Sequence, residues 1–376
     1  MLIYLFGLFI VIACTIIPTF FCKKRKIVTI ACLVLSSFFM WFLCSFKGLA
    51  IGSDTPSYYE SYINATSASS IKLSRDYGYG IFQYISNRLH LPWTAFLCIC
   101  SFPIFFGSAL YGYLKTPWTT FMPFFAYTFL LFEFSLSGLR QSIAVGLILI
   151  GMALFNKRKM WCWFVYFAFN IFAILMHKSS AVMLVYPILT FIKLTKISIS
   201  LLSIMLFGFA LFTSEIESFL YYALPLVEYY PYTATSHFTL IFIFSLTIGL
   251  IVCGLYFPKI LNWLNNFFDN ISCKIFKRDI NVSNEINFSQ TLFVESFFGT
   301  IPLFIFLIIS LYSNTSVRGY YYSAIPFGAW IVSFIWSQKS RLFRVFLTSI
   351  ILVLFSLYFC LSFLRRSDCV PYEFIF

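Results

Sequence analysis

Long apolar stretches separated by short polar connections dominate the hydrophobic pattern of this chain. Most of them run for roughly 20 residues, the length at which an α-helix crosses the hydrocarbon core of a bilayer. They lack the alternation of apolar and polar residues that is typical of a membrane β-strand. The pattern predicts an all-α polytopic membrane protein with about 12 transmembrane helices. The predicted helices are 2–22, 27–46, 93–114, 117–136, 140–155, 160–176, 179–192, 197–213, 239–258, 291–312, 320–337 and 345–364.

The composition agrees with this fold class. Of the 376 residues, 61% are hydrophobic and only 10% are charged, whereas about a quarter of the residues in a soluble domain are charged. A soluble globule is therefore excluded, and we expect one integral membrane domain over residues 1–376. The first apolar segment is followed by the cations Lys23–Lys26. Because a secretory signal peptide has the opposite order, we expect this helix to be retained.

The distribution of basic residues predicts the orientation. Six connections are placed on the inner face, namely 23–26, 115–116, 156–159, 193–196, 259–290 and 338–344. They hold 17 of the 26 lysines and arginines, so the positive-inside rule predicts both termini outside. Residues 47–90 and 214–238 then form extracytoplasmic loops, and 259–290 forms a cytoplasmic loop. The net charge of +13 is explained by this topology and does not indicate nucleic-acid binding.

Three cationic or ionisable residues stand where predicted helices begin on the outer face: Arg140, His177 and Arg318. A cation within a bilayer costs at least a few kcal/mol, so such residues are usually functional. Helix N-termini and arginines together bind phosphate groups well. The pattern predicts an anion site at this face. In the alternative interpretation, the arginines are snorkelling interface anchors and His177 is a structural histidine.

The outer loop 47–90 supplies a second kind of chemistry. Its segments IGSDTPSYYESY (51–62) and LSRDYGYGIFQYIS (73–86) combine carboxylates with many tyrosines. Carboxylates bind sugar hydroxyls and aromatic rings cover apolar sugar faces, so this loop and 214–238 are predicted to form a saccharide cleft. Loop tyrosines also serve as ordinary interfacial anchors, and Asp54 alternatively caps the turn before Pro56.

The chain lacks the sequence motifs of several common metal, nucleotide and catalytic sites. It contains no CxxC pair, no Cys/His zinc spacing, no Walker loop, no dinucleotide-binding fingerprint and no GxSxG. We therefore expect neither a metal nor a cofactor.

Four segments resemble motifs of one family. IGSDTPSYYESY is similar to the G-x-D-x-x-x-Y loop of the EpsG family of Wzy-type polysaccharide polymerases, and GLRQSIAVGLILIGM is similar to its R-Q-x-I-A helix entrance. MHKSSAVML resembles the family's H-x-S-A element, and VRGYYYSAIP resembles its late arginine-aromatic-IP element. The four follow one another in the family's order over about residues 45–330, whereas the C-terminal third diverges.

The resemblance implies a bacterial inner-membrane polymerase of O-antigen or another exopolysaccharide. Such enzymes are similar to metal-independent GT-C-type glycosyltransferases. They move a growing glycan from undecaprenyl diphosphate onto the non-reducing end of a lipid-linked repeat unit, at the periplasmic face. Their implied partners are undecaprenyl-diphosphate-linked oligosaccharides, membrane lipids and a chain-length regulator.

The residues acquire roles within this interpretation. Arg140 and Arg318 would hold the donor diphosphate and stabilise the charge that develops on it. Asp54 or His177 would deprotonate the acceptor hydroxyl, or His177 would be a third diphosphate ligand. The glycan would contact Tyr58, Tyr62, Arg75, Asp76 and Tyr320.

Three other functions remain open from the sequence. An O-antigen ligase would use a similar diphosphate site with a different acceptor, and the EpsG-like motifs argue against it. A lipid-linked oligosaccharide flippase or other transporter would place its polar residues near the midplane. A membrane acyltransferase would also use histidine and arginine.

Overall fold

The computed structural model describes most of the chain as helix. The described residues are 1–21, 25–73, 76–116, 118–129, 131–191, 258–276, 297, 299–300, 321–363, 369 and 372–375. Within these ranges there is no β-strand, only an isolated antiparallel bridge between Lys47 and Phe374. The chain divides into two compact units, one of residues 1–187 with 355–376 and the other of 188–354.

The first unit contains most of the described helices. They are α1 Leu2–Ile16, α2 Arg25–Ser45, α3 Thr55–Ile63, α4 Ala68–Leu73, α5 Tyr77–Arg88, α6 Trp93–Lys115, α7 Phe121–Thr128, α8 Leu131–Ser135, α9 Leu139–Leu154 and α10 Met160–Met176. All of them except α3, α4 and α5 overlap a predicted helix, and those three lie in the predicted outer loop 47–90. A π-helical turn, Ile17–Phe21, extends α1, and a 3-10 helix, Lys178–Val185, leads into α11 Tyr186–Leu189.

Four described helical segments are long and apolar enough to cross a membrane: Leu2–Phe20, Lys26–Ser45, Trp93–Lys115 and Arg341–Ser362. Shorter apolar helices cover Leu139–Leu154, Met160–Met176 and Lys178–Leu189. These segments confirm a multi-pass, all-helical membrane protein. The total of about 12 spans stays a prediction. Predicted helix 197–213 and nearly all of 239–258 and 291–312 lie outside the described residues.

The prediction of one continuous helix over 117–136 was wrong. The segment forms two short helices, α7 and α8, and Phe129 adopts a non-helical conformation between them. Helices α7 and α8 together still extend from one end of the unit to the other. At one end the Thr15 hydroxyl donates to the carbonyl of Thr120, and at the other the carbonyl of Leu136 accepts from Thr55. The hydrophobic pattern predicted a crossing here, but it contains no glycine that would have indicated the break.

Long-range hydrogen bonds show which chain segments meet at each end of the first unit. The Tyr4 hydroxyl donates to the carbonyl of Cys369 across 2.6 Å, and the N–H of Gly48 donates to Glu373 O across 2.6 Å. The start of α1, the end of α2 and the C-terminal tail therefore meet at one end, which we call the site end. At the other end the ammonium of Lys115 donates to Phe155 O across 2.5 Å.

The predicted outer loop 47–90 is largely helical. It contains α3, α4 and α5, which lie at the site end beside the start of α6. Below them α9 packs against both α6 and α10. Twelve of the 16 residues of α9 are buried, so this helix forms the core of the unit and presents only its first turn to the site end.

The second unit is described over two helices of its own and the start of a third. These are α12 Pro258–Phe276, α13 Ala324–Trp336 and α14 Arg341–Ser362, the last of which continues into the first unit. Helix α12 lies within the predicted cytoplasmic loop 259–290. Its buried Asn265 accepts a hydrogen bond from the N–H of Ser340 across 2.9 Å and donates to Gln338. The predicted outer loop 214–238 lies outside the described residues.

Candidate functional site

The candidate site is a cluster of three ionisable side chains at the site end: Asp76, Arg140 and His177. Oδ2 of Asp76 accepts a hydrogen bond from Nη1 of Arg140 across 2.8 Å. The same oxygen lies 3.2 Å from Nδ1 of His177. One carboxylate thus joins two groups that come from different helices, and the backbone N–H of Lys178 donates to its second oxygen across 3.4 Å.

Local structure explains why these side chains converge. Asp76 occupies the N-cap position of α5, but its side chain makes no capping hydrogen bond. It is therefore directed at other elements. Arg140 is the second residue of α9, and His177 ends α10 in an extended conformation. Helix α5 approaches α10 closely at Gly78, where a Cβ atom would lie only 2.7 Å from Cβ of Leu175.

Burial restricts the solvation of the three ionisable side chains. The side chain of Asp76 is 3% exposed, and those of Arg140 and His177 are 16% and 18% exposed. Burial alone would raise the pKa of Asp76. The hydrogen bond and charge of His177, the guanidinium of Arg140 and the N–H of Lys178 together lower that pKa below its ordinary value. Asp76 is therefore ionised at neutral pH.

Arg140 is held from a second side by Tyr58. Its Nε donates to the Tyr58 hydroxyl across 3.4 Å, and its guanidinium carbon lies 5.7 Å from the centre of the tyrosine ring. A snorkelling arginine keeps its guanidinium in water or among lipid headgroups. The buried pairing with Asp76 does not fit that alternative.

A largely aromatic cluster from α3, α5, α6 and α9 supports the site. Its buried members are Tyr58, Tyr62, Tyr79, Trp93, Phe96, Leu97, Cys100, Leu139 and Ile143. The ring of Tyr62 packs 4.5 Å from that of Phe96, and its hydroxyl donates to Leu91 O across 2.6 Å. This burial favours a structural role for Tyr62, whose ring faces protein and not an open cleft.

Tyr79 belongs to this cluster and was not among the predicted site residues. Its side chain is 2% exposed, and within the described part of the chain its hydroxyl has no hydrogen-bond partner. Its ring centre lies 5.8 Å from that of Tyr58. Leaving a buried donor unpaired costs about 1–3 kcal/mol, so an unpaired buried hydroxyl one ring away from Arg140 is suited to a polar ligand.

Asp54 lies in the loop that precedes α3. It occupies the N-cap position of that helix but makes no side-chain cap bond. Its backbone N–H donates to the hydroxyl of Ser137 across 3.2 Å, so the loop packs on the turn just before Arg140. The proposed capping role of Asp54 is therefore not realised by its side chain.

The remaining predicted site residues lie outside the described residues. They are Arg75, Arg318 and Tyr320. Within the described ranges, no group of three or more His, Cys, Asp or Glu side chains is arranged to hold a metal ion. The structure thus brings together Asp76, Arg140, His177 and Tyr58. The sequence had placed Asp76 in a glycan-binding loop and contained no indication that it pairs with Arg140.

One protein-family model matches almost the whole chain. The family model described as the EpsG family matches residues 30–374. No curated protein and no solved structure shows a significant match to the chain.

Proposed function

The chain belongs to the EpsG family, which is associated with Wzy-type polymerases, and we propose that it is a glycosyltransferase that polymerises a polysaccharide. In the proposed reaction a growing glycan leaves undecaprenyl diphosphate and joins the non-reducing end of a lipid-linked repeat unit. The reaction would take place at the periplasmic face of a bacterial inner membrane, on a GT-C-like scaffold whose termini both face the periplasm. The observation that carries the proposal is the buried Asp76–Arg140–His177 cluster.

Arg140 is the proposed ligand of the donor diphosphate. A guanidinium has five N–H donors in a fork that matches phosphate oxygens. The contacts to Asp76 and Tyr58 engage Nη1 and Nε. The other N–H groups are left for the ligand, and the positive end of α9 adds to the field there. As the bond to the sugar breaks, this positive charge stabilises the departing diphosphate. Arg318 is proposed as a second ligand from the sequence alone.

His177 is the proposed general base. An ionised Asp76 accepts a hydrogen bond from Nδ1–H of His177, which leaves the lone pair on Nε2. The acceptor hydroxyl oxygen would attack the anomeric carbon while the bond from that carbon to the diphosphate oxygen breaks. The hydroxyl proton would pass to Nε2. Asp76 orients the imidazole and stays ionised, as the carboxylate of a Ser-His-Asp triad does.

The glycan would bind beside this cluster. The unpaired hydroxyl of Tyr79 is a donor for a sugar or phosphate oxygen, and Arg75 and Tyr320 are kept as glycan contacts from the sequence. Asp76 is instead assigned to His177 and Arg140, because its side chain is 3% exposed and both of its oxygens accept hydrogen bonds. Departure of the diphosphate supplies the driving force, so the reaction needs no ATP. A chain-length regulator is the proposed protein partner.

Glycan analysis of a strain that lacks the gene tests the proposal. Loss of a polymerase leaves single repeat units on the lipid A core, whereas loss of a ligase leaves long chains on the lipid carrier. Loss of a flippase leaves no exported glycan. We expect single repeat units, with long chains restored by the wild-type gene but not by one that encodes Arg140→Lys. Long chains on the lipid carrier would assign the protein to the ligases instead.

A further inference from the structure

A buried lysine lies beneath the candidate site and takes no part in the proposed reaction. Lys47 follows the end of α2, and its side chain is 0% exposed. Its ammonium donates to the hydroxyl of Thr55 across 2.9 Å and also to the carbonyl oxygen of Leu136. An ammonium group is seldom fully buried unless it is paired. The role of Lys47 is therefore inferred from the two groups that accept its hydrogen bonds.

Both acceptors belong to segments that lead directly into the site. Leu136 opens the turn 136–138, and Arg140 follows four residues later. Thr55 is the first residue of α3, the helix that carries Tyr58. The ammonium therefore connects the segment before Arg140 with the helix whose tyrosine holds the guanidinium.

Further contacts bind the same two segments together. The hydroxyls of Ser53 and Ser137 lie 2.9 Å apart, and the N–H of Asp54 also donates to Ser137. Gly52 has a φ of +85°, and a Cβ atom there would clash with the carbonyl oxygen of Leu136. Residues 51–55 therefore pack closely against the 136–138 turn. Among the described hydrogen bonds between these two segments and Lys47, the ammonium of Lys47 is the one charged group.

The C-terminal tail holds the backbone of Lys47 in place. Lys47 forms the antiparallel bridge with Phe374, and the N–H of Ile375 donates to Phe46 O across 3.1 Å. With its backbone fixed on this side, the lysine side chain extends toward Leu136 from a defined position.

We propose that Lys47 is a positioning residue that holds Arg140 in place for the anionic ligand by fixing the 136–138 turn. The proposal rests on the proposed function only for the identity of that ligand.

The titratable groups that interact electrostatically with the ammonium of Lys47 are Cys44 from α2, Cys100 from α6, Cys369 from the tail and Asp54 from the loop. Burial lowers the pKa of Lys47 to about 8, while these four groups oppose the shift.

The first test needs no ligand. Hydrogen–deuterium exchange of the full-length protein in detergent is measured for peptides that cover residues 134–142. Lys47→Met keeps the volume and removes the donor, and we expect exchange there to rise roughly tenfold, since the carbonyl of Leu136 loses a charged hydrogen-bond donor. Lys115→Met is the matched control, because Lys115 also donates to a carbonyl but at the opposite end of α6. Unchanged exchange at 134–142 in Lys47→Met would overturn the proposal.

The second test asks whether Lys47 acts through Arg140. Binding of farnesyl diphosphate, a short polyprenyl diphosphate, is measured with Lys47→Met in the wild-type and Arg140→Gln backgrounds. We expect a loss of roughly tenfold in the wild type and less than about twofold beside Arg140→Gln, because coupled residues are not additive. Equal losses in both backgrounds would show that Lys47 does not act through Arg140.

Two further measurements keep the tests decisive. If Lys47→Met does not fold, Thr55→Val removes one acceptor with little change in volume and is expected to raise exchange at 134–142 in the same way. Binding is also measured from pH 7 to 9.5. The wild type should lose affinity on the alkaline side as Lys47 loses its charge, and a folded Lys47→Met should lack that component. If the wild type does not bind farnesyl diphosphate, the diphosphate assignment fails, while the exchange experiment still decides the role of Lys47.

Discussion

Arg140 donates a hydrogen bond to Asp76 across 2.8 Å, although the two residues are 64 positions apart in the chain. Both side chains are largely removed from solvent. An exposed ion pair contributes about 0–1 kcal/mol, but removing one partner of a buried pair costs about 3–5 kcal/mol because the other charge stays buried. Removing either partner is therefore expected to destabilise the site end, because it leaves the other charge buried without its counter-ion.

Replacing the carboxylate of Asp76 tests its control of the histidine. Asp76→Asn keeps the shape but removes the charge that selects the Nδ1–H tautomer of His177. We expect the rate of chain extension to fall about 10²- to 10⁴-fold, the usual range for losing a general base. Binding of the lipid-linked donor should fall much less, since Arg140 remains.

Asp269→Asn is the matched control for that change. Asp269 is an exposed carboxylate on α12 and is not part of the candidate site. The Asp269→Asn enzyme should extend chains at the wild-type rate in the same assay with purified enzyme and lipid-linked repeat units. An Asp76→Asn enzyme that is as active as Asp269→Asn would contradict the orienting role of Asp76.

The guanidinium of Arg140 is expected to be needed for more than its charge. Arg140→Lys keeps the charge but cannot donate simultaneously to Asp76, Tyr58 and a phosphate with the same geometry. We expect most activity to be lost in protein that folds and inserts normally, and we expect the same of Arg318→Lys. The exposed Arg88→Lys serves as the control. Normal polymer ladders from both Arg140→Lys and Arg318→Lys would favour interface anchors.

The sequence predicted the helical membrane class because the property that decides it is carried by each segment alone. The length and apolarity of segments such as 27–46 and 93–114 can be read without reference to the rest of the chain. The observed helices α2 and α6 lie within two residues of those bounds. The break between α7 and α8 depends on packing around Phe129, which is fully buried. A hydropathy pattern does not contain that information.

For the site, the sequence predicted residue types better than partners. Arg140 and His177 were identified because charged groups at membrane helix ends are costly. Asp76 was predicted as a glycan contact and not as the partner of Arg140 and His177, because nothing local indicates that α5 packs against α10 at Gly78. Lys47 is the first residue of the predicted outer loop, and its buried ammonium contacts the carbonyl of Leu136, 89 positions away in the chain.

The lowered pKa of Asp76 predicts a pH dependence of stability. Burial raises that pKa, but His177 and Arg140 outweigh it. A carboxyl group whose pKa is lower in the folded state stabilises the fold fully above its unfolded pKa of about 4, and this contribution is lost as the pH falls through the folded value. We expect the Tm of the wild-type protein to be higher than that of Asp76→Asn at pH 6. The difference in Tm should shrink below a pH of about 4.

Because His177 contacts Asp76 directly, the effect of Asp76 must also be measured without this histidine. We therefore compare His177→Gln with the double variant His177→Gln, Asp76→Asn over the same pH range in detergent. The difference in Tm between these two proteins should again shrink in acid, to a smaller extent because His177 no longer lowers the pKa of Asp76. A difference that stays constant down to pH 3 would contradict the assignment.

The proposed orientation predicts which exposed positions react from each side of the membrane. Glu60 lies on α3 at the site end, and Asn270 lies on α12. Cysteines introduced at these positions are treated in intact cells with a reagent that does not cross the inner membrane. We expect position 60, and position 225 in the second predicted outer loop, to react and position 270 to react only after lysis. Labelling of position 270 in intact cells would reject the orientation.

The last prediction separates the two candidate bases, Asp54 and His177. His177→Gln retains an amide that can donate to Asp76 but cannot take up the acceptor proton. We expect it to lower chain extension about 10²- to 10⁴-fold, with donor binding retained. Asp54→Asn keeps the backbone N–H bond to Ser137, so we expect it to retain measurable turnover and to change binding modestly. Both variants are assayed for binding and extension with purified enzyme. If Asp54→Asn abolishes transfer while His177→Gln still extends chains, the base is Asp54, and the pairing of His177 with Asp76 serves to hold the site together.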